Sequence, residues 1–444
     1  MPDELLDEVL ARVKPSAEEE RHMRAVAREV IDKVNSKARA LGLDVYAIHV
    51  GSTARDTWLR GKKDIDIFLM FPPDTPRQEL EEKGMMLARG VSPRFKERYA
   101  EHPYVTALYG GFEVDLVPAY RVSDPSKIQS AVDRSPFHNE YIVKHIDGLC
   151  DQVRLLKQFT MGVGVYGSEL RTQGFSGYLC ELLAIKYGSF MGVIGKGADF
   201  RPGMVIDIEG HIDEAVEHPD PLVVIDPVDP KRNVASALSE QKFCEFIDAC
   251  RRFLKNPSPC FFFPPPVPPI KKSALERLLS KRGTLLVAVA FRAPDIVEDT
   301  LYPQLRKTEG SLARLLERHE FKIYRSDVWS NDRSAIVLEM LVWELPAIER
   351  HMGPPVQERE HCDKFKDKYP EAYVTGCRYA VDVPRRYKTA VELIHDQLQS
   401  CGLGKHVAVS VLEGFDILLD ADVLGLGPEF ASFLARFLGV GDRR

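Results

Sequence analysis

The sequence lacks the features that mark a membrane or secreted protein. No apolar run approaches the ~20 residues that a membrane-spanning helix needs. The N-terminus, Met-Pro-Asp-Glu-Leu-Leu-Asp-Glu, is acidic and has neither the basic start nor the apolar core of a signal peptide. We therefore expect a cytoplasmic protein with no membrane partner.

Paired cysteines are also missing. The eight cysteines are scattered over 444 residues, and none of them forms a C-x-x-C pair. This spacing describes neither a disulfide scaffold nor a common zinc site, so we expect reduced thiols. The net charge of −6 argues against a protein that coats nucleic acid non-specifically. It still leaves room for a local basic face beside an acidic cleft.

Two glycine motifs lack the context that would make them nucleotide-binding loops. The segment Gly162–Gly167 matches G-x-G-x-x-G, but it follows a helical pattern, and no acidic residue stands about 20 positions further on. The segment Gly404-Lys405-His406 lacks the first glycine and the Ser or Thr of a P-loop. Neither a dinucleotide-binding fold nor a P-loop is predicted from them.

Two aspartates stand on a predicted strand from Asp64 to Met70. Side chains two residues apart share one face of a strand, so Asp64 and Asp66 should lie together while Ile65 and Ile67 face the core. Such a pair taken alone more often marks a solvated face of a sheet.

A third aspartate favours a metal site over a solvated face of the sheet. Asp115 lies within a second apolar strand, Phe112–Val117, of the same predicted domain. Two carboxylates ~5 Å apart repel by roughly 3 kcal/mol at an effective dielectric constant of ~20, so three would need a cation among them. Hard oxygen ligands favour Mg²⁺ or Mn²⁺. Two such ions can activate a hydroxyl and stabilise a leaving pyrophosphate. We expect Asp64, Asp66 and Asp115 to be catalytic metal ligands.

A small turn precedes this strand. The predicted strand Val45–Val50 leads into Gly51-Ser52, and Thr53–Leu59 is predicted to form a short helix whose N-terminus abuts the turn. Exposed N–H groups there would suit a phosphate. On this reading, Arg55 lies on the first helical turn and contacts the same anion.

The chain is long enough for several domains, and its pattern divides into three. Residues 1–140 form a catalytic head, residues 141–258 a mainly helical central domain, and residues 259–444 a C-terminal α+β body and tail. The proline run at 264–269 predicts an extended connector. The last third has a β-α-β-β order that is compatible with a ferredoxin-like antiparallel sheet. The expected fold class is therefore a multidomain α+β protein.

The Gly-Ser turn and the three aspartates resemble the signature of the polymerase-β-type nucleotidyltransferase superfamily. Longer stretches resemble the archaeal, class I CCA-adding enzymes and follow that family's order along most of the chain. These stretches are Ala100–Tyr104, Ser130–His138, Val153–Lys157, Gly174–Leu183, Asp226–Ala235, Arg292–Val297 and Leu301–Leu305.

The resemblance implies an enzyme that builds or repairs the 3′-terminal CCA of tRNA from CTP and ATP, without a nucleic-acid template and with two Mg²⁺ ions for which Mn²⁺ can substitute. It implies triphosphate contacts and one residue at the incoming base. The triphosphate residues are Ser52, Arg55, His138, Lys157 and Tyr166, and the base residue is Arg232. Each of these has an ordinary structural alternative, such as packing or a solvated surface. Lys231, beside Arg232, could take its place.

The family's first carboxylate is often Glu, whereas this chain has Asp64. Enzymes of this family also bind the acceptor and T arms of tRNA through the RNA backbone and the shape of the helix, as expected for A-form RNA. Basic clusters that could serve here are Lys271-Lys272, Lys281-Arg282 and Arg385–Lys388. The chain could also form a homodimer.

Two alternative functions remain: a poly(A)-type terminal nucleotidyltransferase, and an RNA-binding module with a vestigial site. The intact aspartate set argues against the second.

Overall fold

The fold is that of a computed structural model that describes residues 2–99, 102–211 and 219–440. The chain forms two compact units, Met1–Pro265 and Pro266–Arg444. The division falls inside the proline run predicted as a connector. Ala100 and Glu101, which begin one of the stretches quoted above, lie outside the described residues.

The first unit contains nine helices among its described residues. They are α1 (Pro2–Val13), α2 (Ala17–Ala40), α3 (Gly51–Ala54), α4 (Arg77–Arg89), α5 (Ser135–His145), α6 (Cys150–Gly162), α7 (Gly177–Tyr187), α8 (Phe190–Gly197) and α9 (Glu240–Lys255). Its strands are β1 (Tyr46–Val50), β2 (Asp64–Phe71), β3 (Phe95–Tyr99), β4 (Pro103–Tyr109), β5 (Phe112–Tyr120), β6 (Met204–Ile206) and β7 (Leu222–Val224).

A five-stranded sheet in the order β1-β2-β5-β4-β3 forms the base of the head. Strands β2 and β5 run parallel, and the other pairs run antiparallel. Helix α2 packs its apolar stripe into the core under this sheet. The predicted capping box at its start is present, since Ser16 and Glu19 each accept a hydrogen bond from the other's backbone N–H. This reciprocal pairing satisfies two N–H groups that a helix start otherwise leaves without partners.

A second apolar core gathers the helices that follow the head. Phenylalanine rings from α6, α8 and α9 meet there, and Phe262, just before the proline run, is completely buried among them. Helix α1 joins the same core through Leu6, Val9 and Val13, although residues 14–149 lie between it and the first of these helices in sequence.

The second unit is an α+β structure. Its helices are α10 (Lys272–Arg282), α11 (Glu298–Arg318), α12 (Arg359–Lys368), α13 (Ala390–Gln397), α14 (Lys405–Glu413) and α15 (Pro428–Phe437). Its strands are β8 (Leu285–Arg292), β9 (Lys322–Ser330), β10 (Arg333–Val342), β11 (Ile348–Pro355), β12 (Tyr373–Thr375), β13 (Arg378–Pro384) and β14 (Phe415–Leu419).

Two antiparallel sheets organise the second unit. The larger has the order β14-β8-β10-β9 and carries α11 against it, and the smaller has the order β11-β13-β12. Across the parts of the chain that the structure describes, no single helix has the length and apolar character to cross a membrane. One bent pair, α7 with α8, meets those two criteria only when both helices are counted together.

Candidate active site

The two central strands of the head bring the three aspartates together. In the parallel pairing of β2 with β5, Asp66 stands opposite Asp115, and Asp64 stands opposite Glu113. Ile65 and the other alternate residues on the opposite face are completely buried. The predicted division into a polar face and a core face is therefore present. Glu113 adds a fourth carboxylate to the polar face.

Burial and mutual repulsion act on these carboxylates. Burial, together with the charges of Asp115 and Asp64, raises the pKa of Asp66 to about 6 against the opposing influence of Arg55. Burial also raises the pKa of Asp64 and of Asp115. The Asp115 carboxylate accepts a hydrogen bond of 2.6 Å from the Thr106 hydroxyl, which partly offsets this effect. A cation placed here would relieve the repulsion.

The donor set suits a hard divalent cation, because every nearby anionic donor is a carboxylate oxygen. Within the described residues, no three His, Cys, Asp or Glu side chains already form a metal-binding group. Asp64, Asp66 and Asp115 are the residues that would hold such an ion.

Gly51 lies directly against Asp66. Its backbone φ of +81° is in the left-handed region, and a Cβ atom at this position would lie 2.0 Å from the Asp66 carboxylate. Only glycine allows both this conformation and this approach. Ser52 follows it, half-buried, and its carbonyl accepts a hydrogen bond of 2.9 Å from the N–H of Thr57.

The helix predicted at Thr53–Leu59 is wrong in position. The observed helix, α3, has four residues and ends before Arg55, and Asp56 adopts a left-handed φ of 55° that stops it. The Asp56 carboxylate is held by Arg154 at 2.6 Å. Arg55 is thus the C-terminal cap of α3 rather than part of its first turn, and a helix of one turn provides little dipole for an anion.

Arg55 and Lys157 meet at one buried carboxylate, that of Glu181 on α7. An Arg55 guanidinium nitrogen lies 3.0 Å from Glu181 and the Lys157 ammonium lies 3.2 Å from it. The Thr57 hydroxyl donates a hydrogen bond to the same carboxylate. Burial would raise the pKa of Glu181, but the charges of Lys157 and Arg55 outweigh it and hold this pKa below its usual value.

The Tyr166 side chain reaches the same cluster. A Cβ atom on Gly177 would lie 3.1 Å from the Tyr166 hydroxyl and 3.5 Å from the Lys157 Cε, which places both residues beside the start of α7. Burial raises the pKa of Tyr166, so its hydroxyl remains a neutral hydrogen-bonding group. The triphosphate residues named from sequence on α3, α6 and the following turn are therefore neighbours.

His138 and Arg232 meet at a second buried carboxylate, Asp226, which follows β7. Each contacts the same Asp226 oxygen, Oδ2, at 2.8 Å. The Tyr178 hydroxyl donates a hydrogen bond of 3.2 Å to the other oxygen, and its ring stacks on His138 with centroids 4.1 Å apart. Burial would raise the pKa of Asp226, but the contacts with His138 and Arg232 outweigh it and hold this pKa below its usual value. The adjacent Lys231, by contrast, is exposed.

Sequence reasoning missed Glu181, Asp226 and Glu113. Glu181 lies within the apolar segment Tyr178–Leu183 and Asp226 directly follows the apolar segment Leu222–Ile225, and an isolated acid in such a place signals a buried and paired charge. Glu113 repeats on β5 the two-residue spacing that Asp64 and Asp66 show on β2. These signals were present in the sequence, but nothing in the sequence identified the residues that pair with these acids.

Three family models match successive parts of the chain. Residues 28–138 match a nucleotidyltransferase domain, residues 151–263 the second domain of tRNA nucleotidyltransferase, and residues 282–420 the C-terminal domain of the CCA-adding enzyme. The first match shows that the head has the polymerase-β-like nucleotidyltransferase fold expected from its motif. The mixed helix and strand content of the chain agrees with the predicted α+β class.

Relatives match over nearly the full length. The CCA-adding enzyme of Methanosarcina barkeri is 47% identical and is covered over 99% of both chains. Those of Methanothermobacter thermautotrophicus and Halobacterium salinarum are 43% and 41% identical, with 97% and 98% of each chain covered. A solved structure of E. coli MS115-1 CdnC with ATP is similar with a TM-score of 0.46 and 19% identity, covering 58% of this chain and 94% of that one. That likeness is too distant to bear on function.

Proposed function

Because this chain belongs to the archaeal CCA-adding enzymes, we propose that it adds or repairs the 3′-terminal CCA of tRNA, taking nucleotides from CTP and ATP without a nucleic-acid template. The observation that links this reaction to particular residues is the parallel register of Asp66 with Asp115, beside the Gly51 turn. The protein is a nucleotidyltransferase, and pyrophosphate is its second product.

We assign the chemistry to the polar face of β2 and β5. Asp64, Asp66 and Asp115 would hold two Mg²⁺ ions, for which Mn²⁺ could substitute, because all three offer hard oxygen donors and already repel one another. When bound, such ions lower the pKa of an attacking hydroxyl and stabilise the leaving pyrophosphate. The three carboxylates fix where the tRNA 3′-hydroxyl and the α-phosphate can meet. Gly51 leaves room for the Asp66 side chain at that point.

The nucleotide would lie between the two buried carboxylate clusters. We propose that Arg55, with Ser52, Lys157 and Tyr166, faces the triphosphate. His138 would approach it from the Asp226 side. Asp226 occupies one Arg232 nitrogen at 2.8 Å, and this contact leaves the remaining N–H donors of the guanidinium for the incoming base. The 36% exposure of the Arg232 side chain supports such a role.

Metal binding should be measurable without turnover. We expect Mg²⁺ at ~100 times its dissociation constant to stabilise the protein by about 2.7 kcal/mol, because the folded site alone gathers the three carboxylates. Thermal denaturation with Mg²⁺, Mn²⁺ or a chelator measures this, and the chelator should also stop nucleotide addition. Asp66→Asn should remove the stabilisation. An equal Mg²⁺ effect in that variant would place the ion elsewhere.

The reaction product distinguishes the proposed function from a poly(A)-type transferase. Supplied with tRNA that ends before CCA, the enzyme should add two C residues and one A residue and then stop. A gel with labelled CTP in one lane and labelled ATP in another measures the length and order of addition. Transcripts that already end in CC should accept a single A. Long homopolymer tails, or incorporation of UTP or GTP at comparable rates, would contradict the assignment.

For the second unit we propose a ferredoxin-like core that binds the acceptor and T arm of tRNA. The chain order β8-α11-β9-β10, closed by β14 in the sheet order β14-β8-β10-β9, supports this type of fold. The segment with β11, α12, β12 and β13 is then an insertion. We also keep the proposed three-part division at residues 140 and 258.

Some basic clusters are better placed than others to contact RNA. Arg282 donates hydrogen bonds to Glu339, and Arg385 pairs with Glu320 at 2.6 Å, so both already have anionic partners. Lys271 and Lys272 are exposed at the start of α10. We therefore propose this pair as the more available phosphate contact. A cytoplasmic location and a homodimer also belong to this proposal, and gel filtration of the free enzyme would test the dimer.

A further inference from the structure

Glu181 is a buried charge that none of the assigned roles uses. Its side chain has no exposed surface, and its partners are Arg55, Lys157 and Thr57. Arg55 and Thr57 belong to the segment between β1 and β2, whereas Lys157 lies on α6 and Glu181 on α7. The carboxylate therefore joins the catalytic sheet side of the site to the helical side.

The hydrogen bonds around Lys157 fix the position of its ammonium group within this cluster. Its ammonium donates to the Thr57 carbonyl at 3.2 Å, to the Thr57 hydroxyl at 3.0 Å and to Glu181 at 3.2 Å. An ammonium has three N–H donors, and all three have protein acceptors here. Lys157 thus fixes Thr57, two residues after Arg55, against the helical side.

Arg55 is held differently. One of its terminal nitrogens pairs with Glu181 and the other lies 3.5 Å from the Asn139 side chain, while its Nε is buried and has no hydrogen-bond partner among the described residues. The side chain is 10% exposed. A guanidinium with a buried, unpartnered N–H group can still bind a further anion.

We propose that Glu181 is a positioning residue for the triphosphate, acting through Arg55 and Lys157. Without its charge, two cations would share a small buried space and repel each other. With it, Arg55 is held in one orientation, Lys157 and Thr57 fix the backbone beside it, and the cluster keeps one net positive charge for a phosphate. This inference rests on the proposed function, which places the triphosphate against Arg55.

The chain provides a matched control. Glu339 in the second unit is also fully buried and is held by Arg282 at 3.1 Å, by Arg325 at 2.9 Å and by the Thr284 hydroxyl at 2.9 Å. Glu181→Gln and Glu339→Gln therefore remove the same charge from similar surroundings. Both variants should lose thermal stability, and only the first should change the phosphate-binding site.

The experiment measures binding of inorganic pyrophosphate to the full-length protein by calorimetry in the presence of Mg²⁺, together with kcat and KM for CTP. Pyrophosphate is the probe because it contains only the phosphate part of the substrate. In Glu181→Gln we expect its affinity to fall about tenfold. We expect kcat/KM for CTP to fall by roughly 10²-fold because the triphosphate is misplaced. Glu339→Gln should bind pyrophosphate as the wild type does.

A second variant distinguishes a loss of pyrophosphate binding from a loss of folding. Glu181→Asp keeps the charge and shortens the side chain by one methylene, so its pyrophosphate affinity should lie between those of the wild type and Glu181→Gln. Unchanged or tighter pyrophosphate binding in folded Glu181→Gln would overturn the proposal, as would an equal loss in Glu339→Gln. If the wild type adds CCA while Glu181→Gln binds pyrophosphate normally, only this inference fails. If the wild type does not add CCA, the proposed function fails independently of the binding result.

Discussion

Replacing Asp66 or Asp115 by Asn should lower the rate of nucleotide addition by at least ~10³-fold, which corresponds to about 4 kcal/mol of transition-state stabilisation. The two residues stand opposite each other on parallel strands, so either substitution removes a charged carboxylate ligand from the same part of the site. Asn keeps the size of the side chain but offers a neutral oxygen, which binds a hard cation far less well. The measurement is single-turnover addition of C to tRNA that lacks its 3′ end.

Two controls separate this loss from unfolding. Asp44→Asn changes an exposed carboxylate of the head that pairs with Arg121 at 2.7 Å, and it should leave the rate unchanged. Without metal, Asp66→Asn should be at least as stable as the wild type at neutral pH. The reason is that the raised pKa of Asp66, about 6, makes its charge a net cost to folding as the pH rises through that value. Normal addition by either Asn variant would show that these residues are not the metal ligands.

Replacing Gly51 by Ala should abolish nucleotide addition through steric displacement of Asp66. The new Cβ would meet the carboxylate oxygen at 2.0 Å, and neither the glycine φ of +81° nor the paired strand can give way cheaply. The left-handed conformation alone costs of the order of 1–3 kcal/mol. Thermal denaturation and the tRNA addition assay measure the two effects separately.

Gly111 is the matched position for this test. It has a φ of +83°, lies in the β4–β5 turn, and has open space where a Cβ atom would go. Gly111→Ala should therefore lose a similar backbone free energy while keeping full activity. If both alanine variants retained activity, or both lost it, contact with Asp66 would not be the function of Gly51.

The parts predictable from sequence are those governed by local periodicity. Alternation placed Asp64 and Asp66 on one face of β2, and the Ser16–Glu19 spacing placed the start of α2. Helix α3 was predicted at the wrong residues because a single left-handed residue, Asp56, follows it, and the carboxylate of Asp56 pairs with Arg154, which is 98 residues further along the chain. No local pattern encodes such a contact.

Long-range pairing explains the remaining differences. Glu181 is buried against Arg55 and Lys157 from other segments. Asp226 pairs with His138, 88 residues earlier, as well as with the nearby Arg232. The distant partners could not be read from the neighbouring sequence. Helix α1 and the smaller sheet of the second unit also lie outside the predicted elements. In α1 a helical repeat of Leu6, Val9 and Val13 was available, whereas β11 of the smaller sheet alternates poorly between buried and exposed residues.

The placement of α1 has a consequence for the synthesis of the chain. The apolar side of α1 packs mainly on helices that begin at α6, so roughly the first 150 residues emerge from the ribosome before most of its partners exist; Arg60, whose N–H donates to the Val13 carbonyl, is an earlier one. At ~5–20 residues per second this interval lasts about eight to thirty seconds. The sheet of the head can close within that time, since its core residues all lie between Met23 and Tyr120. We therefore expect α1 to complete its docking after the sheet of the head has formed, and this contact ties the start of the chain to the helices that carry Lys157 and Glu181.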